Sequence, residues 1–250
     1  MKVGKWNFNP TLWPTLVAIV TFAILIRLGI WQLHRADYKR ALLQQFHQNV
    51  QLPPLNFNQA VANQQLADLA RYRHVEAHGH YDTAHQLLLD EMQHADDVGY
   101  EVLTPFVLEP EQRIVLVDRG WLPKSGTAHL PALPLTSGSR TIRGIIGFLP
   151  VPGVRLGKTT VPSGWPKLLL YPRYPMLAKL YGGDLLHPVI WLDPAQADGY
   201  VRDWQPNIGF PPIRHTAYAL QWFAMALAVA VIWIVVNLKR GQDNDRNKLD

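Results

Sequence analysis

The chain has 250 residues, of which 48% are hydrophobic and only 17% charged, a balance on the apolar side of a soluble domain. A mean hydropathy near zero excludes both a disordered chain and a transporter made wholly of spanning helices, so the apolar surplus is local. The absence of cysteine excludes disulfide frameworks, thiolate zinc sites, iron–sulfur clusters and cysteine nucleophiles, and a net charge of +5 spread over scattered basic residues argues against a nucleic-acid partner.

After a short N-terminus, residues 1–11, an apolar run predicts a transmembrane helix over 12–33, interrupted by Arg27. A long arginine stem reaches the interface when a span ends nearby, which makes a charge at that depth tolerable. Lys2 and Lys5 would also suit a signal peptide, but no small-x-small cleavage pattern follows, so an uncleaved anchor is expected. Residues 36–50 read as a helix continuing from the membrane, and 58–70 as another, set apart by Pro53-Pro54. Apolar runs bounded by turn residues predict strands at 72–81, 86–92, 100–108, 113–121, 140–149 and 188–192. Their close succession predicts hairpins and an antiparallel sheet. The proline- and glycine-rich stretch 150–175 predicts a long irregular excursion over that sheet.

Residues 216–238 are 23 positions without a charge, enough at about 1.5 Å per residue to cross a hydrocarbon core of about 30 Å. Tyr218, Trp222 and Trp233 lie toward the ends of this run, where amphipathic rings favour the headgroup level. The second span is therefore placed at 214–238. The expected architecture is a membrane α+β fold: two transmembrane helices flanking an extracytoplasmic, periplasmic domain over 34–213, mainly antiparallel β with a few helices. Lys239, Arg240, Arg246 and Lys248 after the second span, against Arg202 and Arg214 before it, place the tail 239–250 and the N-terminus in the cytoplasm. Around the first span the local count points the other way, with Lys2 and Lys5 facing Arg35, Lys39 and Arg40, and the second span is taken to decide.

No Gly-rich phosphate loop, dinucleotide fingerprint, HExxH or GxSxG occurs. The pairs Asp90-Glu91 and Asp96-Asp97 fall at strand ends or in a turn, where solvated acids are ordinary. His74, His78 and His80 share parity within one predicted strand and so emerge on one face. With His85 and His94 they could build a copper(II) or zinc site, or simply line a solvated surface. His215 stands at the outer mouth of the second span, and Tyr218 and Trp222 follow it at i+3 and i+7 on the same helix face. A neutral imidazole between aromatic rings and Arg214 suits ligation of haem iron with the arginine on a propionate. An aromatic belt capping a helix uses the same residue types.

At 28–39, LGIWQLHRADYK resembles the LGxWQxxRxxxK motif of the Surfeit locus protein family, the assembly factors of cytochrome c oxidase. In the same order, HGHYD at 78–82, GYEVLTPF at 99–106 and VLVDRGWLP at 115–123 resemble that family's strands, with Arg119, Gly120 and Trp121 the most recognisable triplet. His215, Tyr218, Ala219, Trp222 and Phe223 match its histidine followed by YAxxWF. One departure is Pro-Pro-Ile-Arg before that histidine, where members often carry asparagines.

The resemblance implies a bacterial, multi-pass protein of the cell inner membrane with a non-enzymatic role in respiratory-chain biogenesis. It implies binding of haem a, with His215 as iron ligand and Trp222 nearby, and delivery to the catalytic subunit of a haem-copper oxidase. The haem a synthesis machinery and membrane lipid are the other expected partners. Arg214 and Tyr218 complete the cofactor-binding set expected at the membrane edge. Arg119, Gly120 and Trp121 read either as a contact surface for a partner subunit or with Trp121 plugging the sheet core. Two other functions stay open: a structural scaffold for oxidase subunits that touches no cofactor, and an extracytoplasmic metal-binding domain using His74, His78 and His80.

Overall fold

In the computed structural model the described residues are 2–3, 6–124, 130–150, 161–206 and 208–240. The chain divides into two compact units, one formed by 1–44 with 207–250 and the other by 45–206. In chain order the elements are β1 (Lys2–Val3), β2 (Trp6–Phe8), α1 (Leu12–Val50), β3 (Leu55–Asn56), α2 (Phe57–Ala62) and a 3-10 turn (Gln65–Asp68). There follow β4 (His74–Tyr81), β5 (Leu87–His94), β6 (Asp97–Leu108), β7 (Ile114–Pro123), β8 (Arg140–Gly147) and β9 (Lys167–Leu169). The last are α3 (Tyr174–Leu180), β10 (Leu185–Leu192), α4 (Pro212–Asn237) and β11 (Leu238–Arg240).

In the first unit, the expected span at 12–33 and the helix at 36–50 are one continuous element: α1 has 39 residues, about 58 Å at about 1.5 Å per residue. Both α1 and α4 are long and apolar enough to cross a membrane. Their burial is the reverse of a soluble helix. The buried residues are Gly29 and Ala36 on α1 and Ala219, Ala226 and Asn237 on α4, while Val17, Ile19, Leu220, Leu227 and Val236 are exposed. Small residues in the seam let two backbones approach, and large apolar ones outside suit lipid tails. The two helices run antiparallel: Trp233 Nε1 donates to Thr15 Oγ1 at 3.1 Å, the Phe223 ring lies against Gly29, and His215 meets Gln32. A Cβ at Gly29 would run into that ring. β2 pairs antiparallel with both β1 and β11, and Asn9 N donates to Asn237 O at 3.1 Å, so the helix ends nearest the chain termini are tied into one small sheet.

In the second unit, β4, β8, β10, β7 and β6 pair in that order, and β6 returns to β4 through Gly79–Leu108, His80–Val107 and Tyr81–Phe106, closing a five-stranded barrel. β5 and then β9 extend the sheet beyond β6, and β3 adds to β4. Pairing is antiparallel throughout except for β7–β10, β3–β4 and β5–β9. Val75, Ala77, Tyr81, Phe106, Val115, Val117, Ile146 and Ile190 fill a core that also takes Phe57 and Val61 of α2. Leu87, Leu89, Leu103, Leu116 and Val189 form a second core with Leu169 of β9, Leu177 of α3 and Tyr181. β7 is thus covered on both faces, which explains the continuous apolar residues 114–117 at its start, where a half-exposed strand would alternate.

Three expectations need correction. The helix read over 58–70 ends at Ala62, because Gln64 turns left-handed (φ 56°) and the polar Asn63-Gln64-Gln65 offers no apolar stripe. Of the stretch 150–175, residues 151–160 lie outside the described ones, and the rest contains β9 and the start of α3. Pro175 sits in the first turn of α3, where a missing N–H costs nothing. The last strand is longer than 188–192, since Pro188 lies where the β7–β10 register shifts between Leu185 and Val189 and no regular ladder bond is required.

The helix seam gives a direct prediction. In a cysteine-free chain, the double variant Thr15→Cys/Trp233→Cys is expected to be joined within the molecule by a short bifunctional maleimide, whose reach covers the space the indole leaves. Adding Gly29→Leu should cut the yield of the cross-linked band severalfold on a denaturing gel, and an unchanged yield would refute the packing.

Candidate functional site

The first unit gathers most of the predicted cofactor residues at the start of α4. Pro212 occupies the first helical turn, so His215 lies within a turn of the helix start. Its Nδ1 is 2.7 Å from Gln32 Oε1 on α1, and no described residue bonds its Nε2. Both side chains are half-buried. Arg214 stacks its guanidinium 5.3 Å from the Phe210 ring centroid. Tyr218 is exposed and Trp222 half-buried on the helix face that carries His215. Around them Arg40 donates to Thr216 Oγ1 at 2.9 Å and pairs with Asp37 at 2.6 Å, and Lys39 donates to the Ile208 carbonyl. Over 27–40 and 208–216 Asp37 is the only acid among several arginines and Lys39. The result is an imidazole beside aromatic surface under a cationic rim, suited to an apolar ligand with anionic groups at one end. In the sequence Gln32 is one letter of the LGIWQLHRADYK segment, and nothing in helical periodicity reveals its partner 183 positions away.

Arg119, Gly120 and Trp121 belong to the second unit, and the expectation of an exposed contact surface is corrected there. Arg119 is 1% exposed and Trp121 7%. Arg119 Nε donates to Asp198 O at 2.6 Å, Nη1 to Gln86 Oε1 at 3.0 Å and Nη2 to Pro134 O at 3.1 Å, and its guanidinium lies over Tyr200. Gln86 in turn accepts from Thr104 and donates to the carbonyls of Thr83 and Leu133. The planar fork therefore pins two loops onto the barrel. Trp121 Nε1 donates to Met92 O at 2.8 Å, and the ring is buried against His94 and Gly99. Gly120 adopts φ 105° while Trp121 exchanges two backbone bonds with Val201, and a Cβ at Gly120 would strike the Val201 carbonyl. Beside it Asp118, whose Oδ1 accepts from Gly120 N at 3.0 Å, is buried. Burial and the neighbouring Glu101 carboxyl hold its pKa well above the carboxylate range, and burial raises Glu101 as well.

His74, His78 and His80 face outward on β4 as expected, alternating with the buried positions. His78 and His80 both reach the Glu109 carboxylate, His78 Nε2 lying 3.7 Å from Oε2, and His74 adds no third group to them. His80 Nδ1 lies 2.7 Å from Glu109 Oε1, His78 Nδ1 lies 3.2 Å from Thr141 Oγ1, and Ser139 donates to Glu109 Oε2 at 2.7 Å. Hydrogen bonds from Ser139 and His80 hold the Glu109 carboxyl below its ordinary value. His85 pairs with Asp82 and His94 packs on Trp121. Among the described residues no group of three or more histidine or acidic side chains could hold a metal.

Comparison with known proteins shows what the chain is similar to. A family model described as the SURF1 family matches residues 19–227. A SURF1-like protein of Rickettsia bellii is 32% identical over 108 residues, 42% of this chain and 42% of that protein. Surfeit locus protein 1 of Arabidopsis thaliana is 26% identical over 128 residues, 48% of this chain and 36% of the relative. Surfeit locus protein 1 of Xenopus tropicalis is 25% identical over 243 residues, 87% of this chain and 72% of the relative. The chain thus spans less than half the length of the Rickettsia and Arabidopsis relatives in these matches.

Two outcomes follow for the second unit. Arg119→Met removes one of the two donors to Gln86 Oε1 and the side-chain donor to the Asp198 and Pro134 carbonyls, and is expected to destabilise the full chain by about 1–3 kcal/mol in denaturant unfolding, and Arg119→Lys, which cannot fork, should recover little. Asp118 keeps its proton in the folded chain at pH values where the unfolded carboxyl, with a pKa of about 3.9, has lost it. The folded state binds more protons, so stability falls as pH rises above about 4 toward the raised folded value. Asp118→Asn, which keeps the acceptor for Gly120, should flatten the dependence of the urea midpoint on pH, and an equally steep profile would refute the assignment.

Proposed function

Because the chain belongs to the SURF1 family, we propose that it is a non-enzymatic assembly factor for a haem-copper terminal oxidase, one that binds haem a at the outer membrane edge and hands it to the catalytic subunit. The observation that carries this reading is His215, a half-buried imidazole at the start of α4 whose Nδ1 is already engaged by Gln32. The donor set fits the cargo: one neutral nitrogen ligand for iron, apolar ring surface from Tyr218 and Trp222, and Arg214 for a propionate. When bound, haem a would supply an iron able to accept an imidazole nitrogen and two carboxylates that prefer water. His215 supplies the first need, and the cationic rim of Arg35, Lys39, Arg40 and Arg214 supplies a setting for the second. A helix pair with lipid-facing apolar residues can take an apolar macrocycle laterally from the bilayer, where the haem a synthesis machinery works. The second unit is then the periplasmic domain, with both termini in the cytoplasm and the protein in the inner membrane.

The test is an absorption spectrum of the detergent-purified full chain from cells that make haem a. A Soret band with extractable haem a is expected in the wild type and is expected to be lost or shifted in His215→Ala. A folded, colourless wild type from haem-supplied cells would contradict cofactor binding and favour a scaffold that holds oxidase subunits without touching haem.

A further inference from the structure

We propose that Gln32 is the positioning residue of the site: by accepting the Nδ1 proton of His215 it fixes the imidazole in the Nδ1–H tautomer and leaves the Nε2 lone pair for iron. The inference rests on the reading that His215 ligates haem and says how this chain makes the ligand competent. A neutral imidazole carries one proton on two nitrogens, and only the nitrogen without it can coordinate a metal. The 2.7 Å contact joins Nδ1 to an amide oxygen, which accepts and cannot donate, so the proton sits on Nδ1. The reverse orientation of the amide would place the proton on Nε2 and close the ligand position.

The seam explains why a glutamine can do this. Gly29, Gln32 and Ala36 follow one another at i, i+3 and i+7, on one face of α1. Gly29 and Ala36 are that helix's buried positions. Ala219 is buried one turn beyond His215 on α4, and Phe223 covers Gly29 a further turn along. The small residues bring the backbones close enough for one amide to span the gap. A larger side chain at 29 would push α4 away from Gln32. Both side chains are half-buried in the seam, so little solvent competes for either partner, which favours the pair. A hydrogen-bonded outer partner also sets the basicity of a metal-bound imidazole.

The experiment uses the full chain in detergent, first without haem. Imidazole nitrogen chemical shifts of 15N-histidine-labelled protein identify His215 as the signal missing from His215→Asn. The wild type is expected to show His215 predominantly as the Nδ1–H tautomer, Gln32→Leu to shift it to an Nε2–H majority, and Gln32→Glu to keep Nδ1–H. Nε2–H in the wild type, or a tautomer indifferent to Gln32→Leu, would overturn the proposal. In the haem-loaded chain the midpoint potential should fall in Gln32→Glu, because a carboxylate makes the ligand more basic, and an unchanged potential also counts against it. If the tautomer responds while the wild type takes up no haem, the carrier reading fails and the positioning stands. If haem is bound through His215 but the tautomer ignores Gln32, the positioning alone fails.

Discussion

The close approach of α1 and α4 through small residues is the constraint on which the first unit depends. Gly29 and Ala36 on one helix and Ala219 and Ala226 on the other are buried, while leucines, isoleucines and valines face outward. In water this arrangement would expose a large apolar surface, and in a bilayer it is the favourable one, since lipid tails are as apolar as leucine and only close packing and hydrogen bonds distinguish helix from lipid. That same approach brings Gln32 within 2.7 Å of His215. Thr15 and Trp233 repeat the device near the other end of the seam, and the β2–β11 pairing fastens the helix ends beside the termini. A single packing choice at position 29 therefore reaches the geometry of the imidazole.

The second unit solves a different problem. Five strands close on themselves, so the sheet presents few free edges, and β7 is covered on both faces. Its most distinctive triplet is spent on holding the fold: Arg119 ties two loops to the barrel, Gly120 admits the backbone of Val201, and Trp121 is buried against β5 and β6. Motif residues that recur for structural reasons are easily mistaken for a contact surface, because arginine and tryptophan are also the residues that anchor interfaces. Beside them the Asp118 carboxyl is buried next to Glu101, which pushes its pKa up, a desolvation cost that the apolar cores must offset.

Much of this was legible in the sequence because it rests on local periodicity. The two long apolar helices, the six main strands and the outward parity of His74, His78 and His80 all follow from spacing along the chain. Barrel closure depended on β4 meeting β6, a pairing between strands that no alternation pattern specifies. α3 hid in a proline-rich stretch whose Pro175 signals a helix start as readily as a loop. Burial of Arg119 was hidden because its partners are mostly backbone carbonyls, which every residue supplies. At the candidate site His215, Tyr218 and Trp222 stood out by helical spacing, whereas Gln32 became visible only when the two helices were brought side by side.

In the proposed function, haem a passes into a terminal oxidase through His215. The most direct measurement is the haem a content per catalytic polypeptide of the oxidase in membranes from cells lacking the gene, complemented with wild type or with His215→Ala. Polypeptide present at normal amount with haem a depleted, restored by wild type and not by His215→Ala, is the predicted result. Full haem a occupancy without the gene, or full restoration by His215→Ala, would contradict it.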